Sequence, residues 1–265
     1  MSDRNGARRD EATPRAGGEQ FSLAETGRIM RRGLHGQVLN VLGREIVDGV
    51  IPEGAVLNAD ALQERFEVSR SVIRETLRTL ETMGMVSARP QRGTLVASRS
   101  NWDLLNQQVV LWRGQGQHYW DQMRDILELR AGVEVVAAGL AARRRLPEHV
   151  EALQQAIDRM DDAAARQDSA AFIEADIALH TLLFHGSGNA VIAQLANAVG
   201  AVLRTRLQDA SHLFGHRTAG SIASHRALVE AVAAGDEAAA VSGARQIVVD
   251  TTDELELRHS HPIPL

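Results

Sequence analysis

The sequence contains no cysteine, so disulfide frameworks, zinc ribbons and cysteine nucleophiles are all excluded. Aromatic residues are also scarce, at 3% of the chain against 44% hydrophobic residues, which favours aliphatic packing between helices over a β-sandwich. No apolar run approaches the ~20 residues that a helix needs to cross a bilayer. No apolar stretch follows the N-terminal charges, as it would in a secretory signal. We therefore expect a soluble, cytoplasmic protein without a membrane partner.

Lysine is absent as well, so all 29 basic residues are arginine, and the net charge is −5. That overall charge argues weakly against nucleic acid, but the distribution of charge along the chain matters more. Between Ser69 and Arg99 the arginines clearly outnumber the acidic residues, which are Glu75 and Glu81. These arginines are Arg70, Arg74, Arg78, Arg89, Arg92 and Arg99. The length of 265 residues leaves room for two domains.

Residues 33–100 have the pattern of three helices followed by a β-hairpin. The preceding residues 1–32 are rich in Gly, Arg, Glu and Asp without an apolar period, and we expect a disordered tail there. Helical spacing of apolar residues begins near Leu34 and is stopped by Pro52 and Gly54. The elements predicted next are helices over 59–66 and 70–83, with Ser69 as an N-cap, and strands over 86–89 and 94–97 around a turn. This order predicts a winged helix-turn-helix.

A winged helix-turn-helix places the start of its third helix in the major groove of DNA. Arginines on the first turns of that helix suit contacts to guanine edges and phosphates, and a glycine at the hairpin tip allows close approach to the backbone or minor groove. The predicted DNA-contacting residues are Ser69, Arg70, Ser71 and Arg74 in the helix and Arg92, Gly93 and Thr94 in the hairpin. The alternative is a small helical module with a solvated basic face.

The second half of the chain predicts an all-α antiparallel bundle, because apolar residues recur at spacings of three and four along almost all of it. We expect a linker helix within 101–118, a bundle over 119–258 and a flexible tail over 259–265. The helices are predicted over 102–112, 118–145, 147–167, 169–185, 189–208, 219–234 and 236–257. The fold class is therefore mainly α, with one β-hairpin as the wing.

The N-terminal unit resembles the GntR family of bacterial transcription regulators. Residues 68–80 resemble that family's recognition segment, and residues 84–86 and 92–96 resemble its wing. One departure is visible between Leu57 and Leu62, where the segment is one residue shorter than is usual in the family and lacks a proline. A basic residue that some members place at the start of the second helix corresponds here to Asp60 or its neighbour, so that DNA contact is not carried over.

The C-terminal half resembles the ligand-binding (FCD) domain of the FadR-like subfamily of GntR regulators. The resemblance rests on Glu128-Leu129-Arg130, Asp176-x3-His180, Gly188-Asn189, residues 224–228 and Ala234-Gly235-Asp236. Asn101-Trp102 and Val110-Leu111-Trp112 most resemble the sugar-acid regulators within it. The resemblance implies a homodimer that represses a catabolic operon by binding a palindromic operator. It also implies release from the DNA by a small carboxylate, such as an aldonate.

Asp176 and His180 are four residues apart on a predicted helix, so both point the same way and could hold two positions on a divalent metal such as zinc. The resemblance makes His225 a third ligand. The fourth histidine of metal-binding relatives would fall in the last helix, where this chain has residues 246–249 and no histidine. Either water or effector completes the shell of a three-ligand site, or the metal has been lost and the same residues hydrogen-bond a ligand. His185 and Asp209 are weaker substitutes.

The resemblance makes Arg130 a clamp for the effector carboxylate, because a planar guanidinium can bind a carboxylate through two parallel hydrogen bonds. The predicted effector site comprises Arg130, Arg204, Asp176, His180 and His225. One of Arg204 and Arg206 is predicted to face the same cavity, and Arg204 is the one included in the site. Asn189 is predicted to cap a helix. Two other functions stay open at this point: a metal-dependent enzyme of sugar-acid metabolism, and a DNA-binding protein whose bundle only dimerises.

Overall fold

The computed structural model describes residues 23–207, 214 and 218–260, with side chains from residue 33 to residue 257. The first helix, α1, spans Leu23–Val47 and therefore begins inside the stretch predicted as a disordered tail. The rest of that predicted tail lies outside the described residues. At the other end the last helix continues to Ser260, which shortens the predicted C-terminal tail. None of the described helices is long and apolar enough to cross a membrane.

The N-terminal unit is built on three helices and a small sheet, as predicted. The second helix, α2, spans Ala59–Phe66, and its first amide groups donate to the side chain of Asn58. The third helix, α3, spans Arg70–Thr82. Ser69 occupies the N-cap position of α3, but its hydroxyl contacts that of Ser71 and does not cap the helix. The predicted side-chain cap at Ser69 is therefore wrong.

The predicted hairpin is present, and a third strand extends it. The strands are β1 (Val56–Leu57), β2 (Val86–Arg89) and β3 (Gly93–Val96). They form an antiparallel sheet in the order β1-β3-β2, with Leu57 opposite Thr94 and Ala88 opposite Thr94 on the other side. The sequence did not predict β1, because two residues are too short to show a period of two.

A short helix connects the two halves of the molecule. This helix, α4, spans Gln107–Gly114 and follows a 3₁₀ turn at Arg99–Asn101, so the predicted helix from Trp102 starts later than expected. Val109 and Trp112 belong to the hydrophobic core of the N-terminal unit, whereas Val110 belongs to a core of the C-terminal bundle. The linker helix is thus shared between two cores.

Six further helices form the C-terminal bundle. They are α5 (Tyr119–Arg144), α6 (Pro147–Ala165), α7 (Ser169–Gly186), α8 (Ala190–Thr205), α9 (Thr218–Ala234) and α10 (Glu237–Ser260). Asn189 caps α8 by accepting from the amides of Val191 and Ile192, as predicted. The cores between these helices are almost entirely aliphatic, with many alanines, in keeping with the low aromatic content. The predicted fold class is confirmed.

Candidate functional site

The exposed face of α3 carries the residues predicted to contact DNA. Arg70, Ser71 and Arg74 are exposed, while Val72 and Ile73 on the opposite face are buried. This division follows from the helical period, because the apolar stripe of an amphipathic helix must pack against the core. Several guanidinium groups are therefore held on a rigid helix and project into solvent. Ser69 is also exposed, one position before the helix begins.

The hairpin tip has the backbone geometry that the predicted wing requires. Gln91 and Gly93 both have positive φ, at 63° and 82°, which turns the chain between β2 and β3. Only glycine adopts such a φ without steric cost, so Gly93 is needed for the turn itself. Arg92 is exposed between them, whereas Thr94 is half-buried because its backbone pairs with both neighbouring strands. Arg92 is thus free to reach a phosphate, and Thr94 is less accessible.

An acidic residue lies beside the basic face of α3. A guanidinium nitrogen of Arg70 is 3.6 Å from a carboxylate oxygen of Asp60 at the start of α2, and both side chains are largely exposed. An exposed pair of this kind contributes little to stability. Its effect is electrostatic, because Asp60 partly neutralises an arginine that faces outward.

A second cluster is buried in the bundle and contains the three predicted metal ligands. Asp176 and His180 lie one turn apart on α7, and His225 lies on α9. Oδ1 of Asp176 is 3.3 Å from Nε2 of His180 and 3.2 Å from Nε2 of His225. One ligand atom from each residue therefore lies within 4.8 Å of the other two, and all three side chains are buried.

The hydrogen bond of His225 fixes which of its nitrogens is free. Nδ1 lies 2.7 Å from the backbone carbonyl of Ser221, which can only accept, so Nδ1 carries the proton. In the neutral ring the lone pair is then on Nε2, a buried atom without a hydrogen-bond partner among the described residues. It faces the Asp176 carboxylate, so two acceptors point at each other. A cation between them would satisfy both.

The separations within this cluster suit a divalent ion. Ligand atoms on a tetrahedral zinc at 2.0–2.1 Å lie about 3.3 Å apart, close to the two distances from Oδ1 of Asp176. Two imidazoles and a carboxylate are also a donor set that zinc and similar metals prefer. The residues present therefore fit a metal ion with three protein ligands.

Arg130 on α5 lies against the same cluster and is almost completely buried. Its Nη2 is 3.0 Å from Nε2 of His180, and its Nε donates to Oε2 of Glu134 at 3.0 Å. Glu134, one turn further along α5, places Oε1 2.6 Å from Nδ1 of His180. Glu134 is not among the residues predicted from the sequence. Its spacing of four residues from Arg130 is the pattern that could have indicated it.

These charges shift one another's protonation. Burial alone would raise the pKa of Asp176, but the charge of the neighbouring His180 holds it well below its usual value. Burial would likewise raise the pKa of Glu134, but Arg130 and His180 lower it to about 2. For His180 burial acts in the opposite direction, and the carboxylates of Glu134 and Asp176 raise the pKa to about 9. Without a metal ion both carboxylates are therefore ionised at neutral pH.

The cluster opens into a cavity of about 280 Å³ between α7, α9 and α10. Arg206, just after α8, lines this cavity and lies 3.9 Å from Asp176 and 3.8 Å from Glu254. Arg204 does not: it is half-exposed and forms a two-pronged ion pair with Glu174 on the outside of the bundle. The prediction of Arg204 for the effector site is therefore wrong, because two residues along a helix turn the side chain by about 200°.

In this chain the fourth metal-ligating histidine of metal-binding relatives is replaced by other residues of α10. Ile247 on α10 lines the cavity with an apolar side chain, in the stretch where the fourth histidine of metal-binding relatives would fall. Its neighbour Gln246 is exposed and bonds to Asp250 instead. Among the described residues the metal-type cluster contains only the three predicted members. Of the weaker substitutes, His185 is exposed at the end of α7, and Asp209 lies outside the described residues.

Comparison with known proteins assigns the chain to a family. Residues 34–96 match bacterial regulatory proteins of the gntR family, and residues 125–250 match the FCD domain. The HTH-type transcriptional regulator Rv0494 of Mycobacterium tuberculosis is 32% identical over 228 residues, which cover 80% of this chain and 85% of that protein. The chain belongs to the gntR family. The galactonate operon transcriptional repressor of Escherichia coli is 29% identical over 221 residues, covering 83% of this chain and 96% of that protein.

A solved structure shares the fold. Lar of Listeria monocytogenes superimposes with a TM-score of 0.59 at 16% identity, covering 84% of this chain and 96% of that one.

The family matches and the similar regulators make this gntR-family protein a DNA-binding transcription regulator that carries an FCD domain, and not an enzyme. The expectation drawn from the resemblance of residues 68–80 and of Asp176-x3-His180 is confirmed at the level of the family.

Proposed function

We propose that this regulator represses a catabolic operon and is released from its operator by a small polyhydroxy carboxylate, such as an aldonate. The observation that carries the proposal is the buried cluster of Asp176, His180 and His225, which opens with Arg206 onto a cavity large enough for a six-carbon acid. The similarity to a galactonate operon repressor supports the same class of effector.

The DNA-contacting surface in this proposal is the exposed start of α3 together with the hairpin tip. Arg70 and Arg74 contact guanine edges or phosphates in the major groove, with Ser69 and Ser71 beside them. Arg92 and Gly93 approach the backbone or minor groove, and Thr94 supports the strand behind them.

The cavity lining offers guanidinium donors for an effector carboxylate and polar partners for effector hydroxyl groups. Arg206 and Arg130 offer guanidinium donors for a carboxylate. Hydroxyls and carboxylates at the rim offer partners for several effector hydroxyls; they belong to Ser221, Ser224, Thr251, Asp250 and Asp253. A purely apolar acid would leave these groups without partners, which costs binding free energy.

We propose that Asp176, His180 and His225 hold a divalent metal ion, with zinc as the first candidate. When bound, such an ion supplies an electrophilic anchor for an effector oxygen at coordination positions left open by the protein. Nε2 of His180 cannot serve both Arg130 and a metal ion, so metal binding would release Nη2 of Arg130. Since Arg130 lines the cavity, that nitrogen would become available to the effector carboxylate.

The regulator is proposed to act as a homodimer on a palindromic operator, since two recognition helices must match two half-sites. An effector can release the protein only if it binds better to an arrangement of the two DNA-binding units that does not fit the operator. The helix α4 supports such coupling, because its residues contribute to the cores of both units.

The test of this proposal begins with selection of an operator from random DNA. A pool of random duplexes is selected on the protein, and the bound sequences are expected to contain an inverted repeat. The affinity for the selected duplex is then measured by fluorescence anisotropy while D-galactonate and other aldonates are titrated, with and without zinc. We expect at least one acid to weaken DNA binding.

Galactitol is the matched control, because it has the hydroxyl groups of galactonate without the carboxylate and should leave DNA binding unchanged. A thermal shift measured with the same compounds separates binding from regulation, since a bound ligand stabilises the folded protein. If no acid in the panel stabilises the protein or weakens DNA binding, the proposed effector class is wrong.

A further inference from the structure

We propose that Glu134 is a positioning residue that sets the orientation and the protonated nitrogen of His180, and so prepares the cluster on α7 for a metal ion. This inference rests on the proposed metal site. Glu134 is 1% exposed and does not line the cavity, so it is not itself available to an effector.

The position of Glu134 is behind the imidazole ring. His180 directs Nε2 toward Asp176 and Nδ1 toward Glu134, at 3.3 Å and 2.6 Å respectively. These nitrogens lie on different edges of the ring, so a carboxylate at Nδ1 cannot compete for the ion at Nε2. A second carboxylate therefore contacts the proposed ligand on the side away from the ion.

The contact between Glu134 and Nδ1 of His180 affects which nitrogen of the ring carries the proton. A histidine binds a metal ion only when the ligating nitrogen has a free lone pair, so the neutral ring must carry its proton on Nδ1. An ionised Glu134, with Oε1 2.6 Å from Nδ1, attracts a proton on that nitrogen and so stabilises this tautomer over the other. Carboxylates placed in this way raise the basicity of the ligand and hold the ring in place, and their loss typically weakens metal binding by about 10–100-fold.

Glu134 also holds the neighbouring arginine. Its second oxygen accepts from Nε of Arg130 at 3.0 Å, and this contact does not involve the nitrogen that faces His180. Release of Nη2 from His180 would thus leave Arg130 anchored through Nε. One buried carboxylate orients both a metal ligand and the proposed effector clamp.

The experiment compares Glu134→Gln with two other variants. Glutamine has the same shape, but an NH₂ group replaces one of the two oxygens, so it cannot accept at both positions and carries no charge. Zinc should therefore bind about 10–100-fold more weakly. Competition with a chromophoric chelator measures the zinc affinity. Glu174→Gln is the matched control, because Glu174 lies on the outside of α7 in an ion pair with Arg204. The zinc affinity of this variant should equal that of the wild type. Asp176→Asn tests the metal site itself and should abolish tight binding.

A second readout distinguishes orientation from general damage. The ring nitrogens of His180, followed by long-range proton–nitrogen NMR in the zinc-loaded protein, should show a proton on Nδ1 in the wild type and an altered Nδ1 signal in Glu134→Gln. If that variant fails to fold, Glu134→Asp replaces it, since it keeps the charge but shortens the reach. Weaker zinc binding by this variant supports the proposal.

The outcomes distinguish the metal site from the role of Glu134. Unchanged zinc affinity in Asp176→Asn contradicts the metal site and, with it, the role of Glu134. Loss of zinc in Asp176→Asn together with wild-type affinity and an unchanged His180 spectrum in the folded Glu134 variant overturns the role of Glu134 alone.

Discussion

The indole ring of Trp112 on α4 fills the space above Gly43 on α1, where an added Cβ atom would lie 2.3 Å from the ring. The ring is also fixed by a hydrogen bond from its Nε1 to the side chain of Asn40 at 2.8 Å. Since α4 also contributes to the core of the bundle, this contact ties the DNA-binding unit to the sensor. The absence of a side chain at Gly43 is what allows the two helices to approach so closely.

Gly43→Ala should therefore destabilise the protein, although alanine is the better helix former. Overpacking of a filled site typically costs about 1–3 kcal/mol, which exceeds the gain of ~1 kcal/mol in helix propensity. The free energy of unfolding from urea denaturation measures the effect. Gly36→Ala is the control on the same helix, because nothing lies within 4 Å of its added Cβ, and it should be stabilising. Equal stabilisation by both substitutions would show that Trp112 does not occupy this space.

Arg70→Ala and Arg74→Ala should each weaken binding to the selected operator by roughly 1–3 kcal/mol. The reason is the loss of guanidinium contacts from the exposed start of α3, with no change in the core behind it. Anisotropy titrations on the operator and on a scrambled duplex check both affinity and specificity. Arg166→Ala, an exposed arginine after α6, should bind like the wild type. Wild-type affinity in both α3 variants would exclude this helix from the groove.

Asp60→Asn should strengthen DNA binding. Asp60 lies 3.6 Å from Arg70 and faces the same side, so its charge both neutralises an arginine and repels phosphates. Removing one exposed charge should contribute about 0.2–1 kcal/mol, and the gain should shrink as salt is raised. Asp162→Asn, an exposed aspartate on α6, controls for the change in net charge. An affinity unchanged at low salt would mean that Asp60 is remote from the DNA.

The metal-free protein should lose stability as the pH rises from about 6.5 to about 9. His180 has its pKa raised to about 9 in the folded protein by Glu134 and Asp176, whereas the unfolded value is near 6.5. A raised pKa contributes stability that is complete below the unfolded value and is lost as the pH passes the folded value. Urea denaturation after chelator treatment, at intervals across this range, measures the trend. His180→Gln should flatten it, and a trend that persists in this variant would assign it to another group.

The sequence predicted the elements well where the apolar pattern and the turn residues extend over several positions. It predicted the site only in part. Helix α2 and the hairpin follow directly from apolar spacing and turn residues, and the three proposed metal ligands follow from the motif Asp176-x3-His180 and the family resemblance. The missing pieces depend on tertiary contacts. Nothing in the spacing says that Trp112 packs on Gly43, nor that Glu134 supports a histidine 46 residues away on another helix.

The pair Arg204 and Arg206 offers the most direct test of the effector site, because the two residues are chemically identical and almost adjacent. Arg206 lines the cavity, whereas Arg204 pairs with Glu174 on the outer surface. Arg206→Ala should weaken binding of an aldonate by about 1.5–3 kcal/mol, the range for a hydrogen bond to a charged group. Arg204→Ala should have no effect, because it leaves the cavity intact. Isothermal titration with the acid identified by thermal shift measures both. An equal loss in the two variants would indicate a general effect of positive charge, and a loss confined to Arg204→Ala would place the effector outside this cavity.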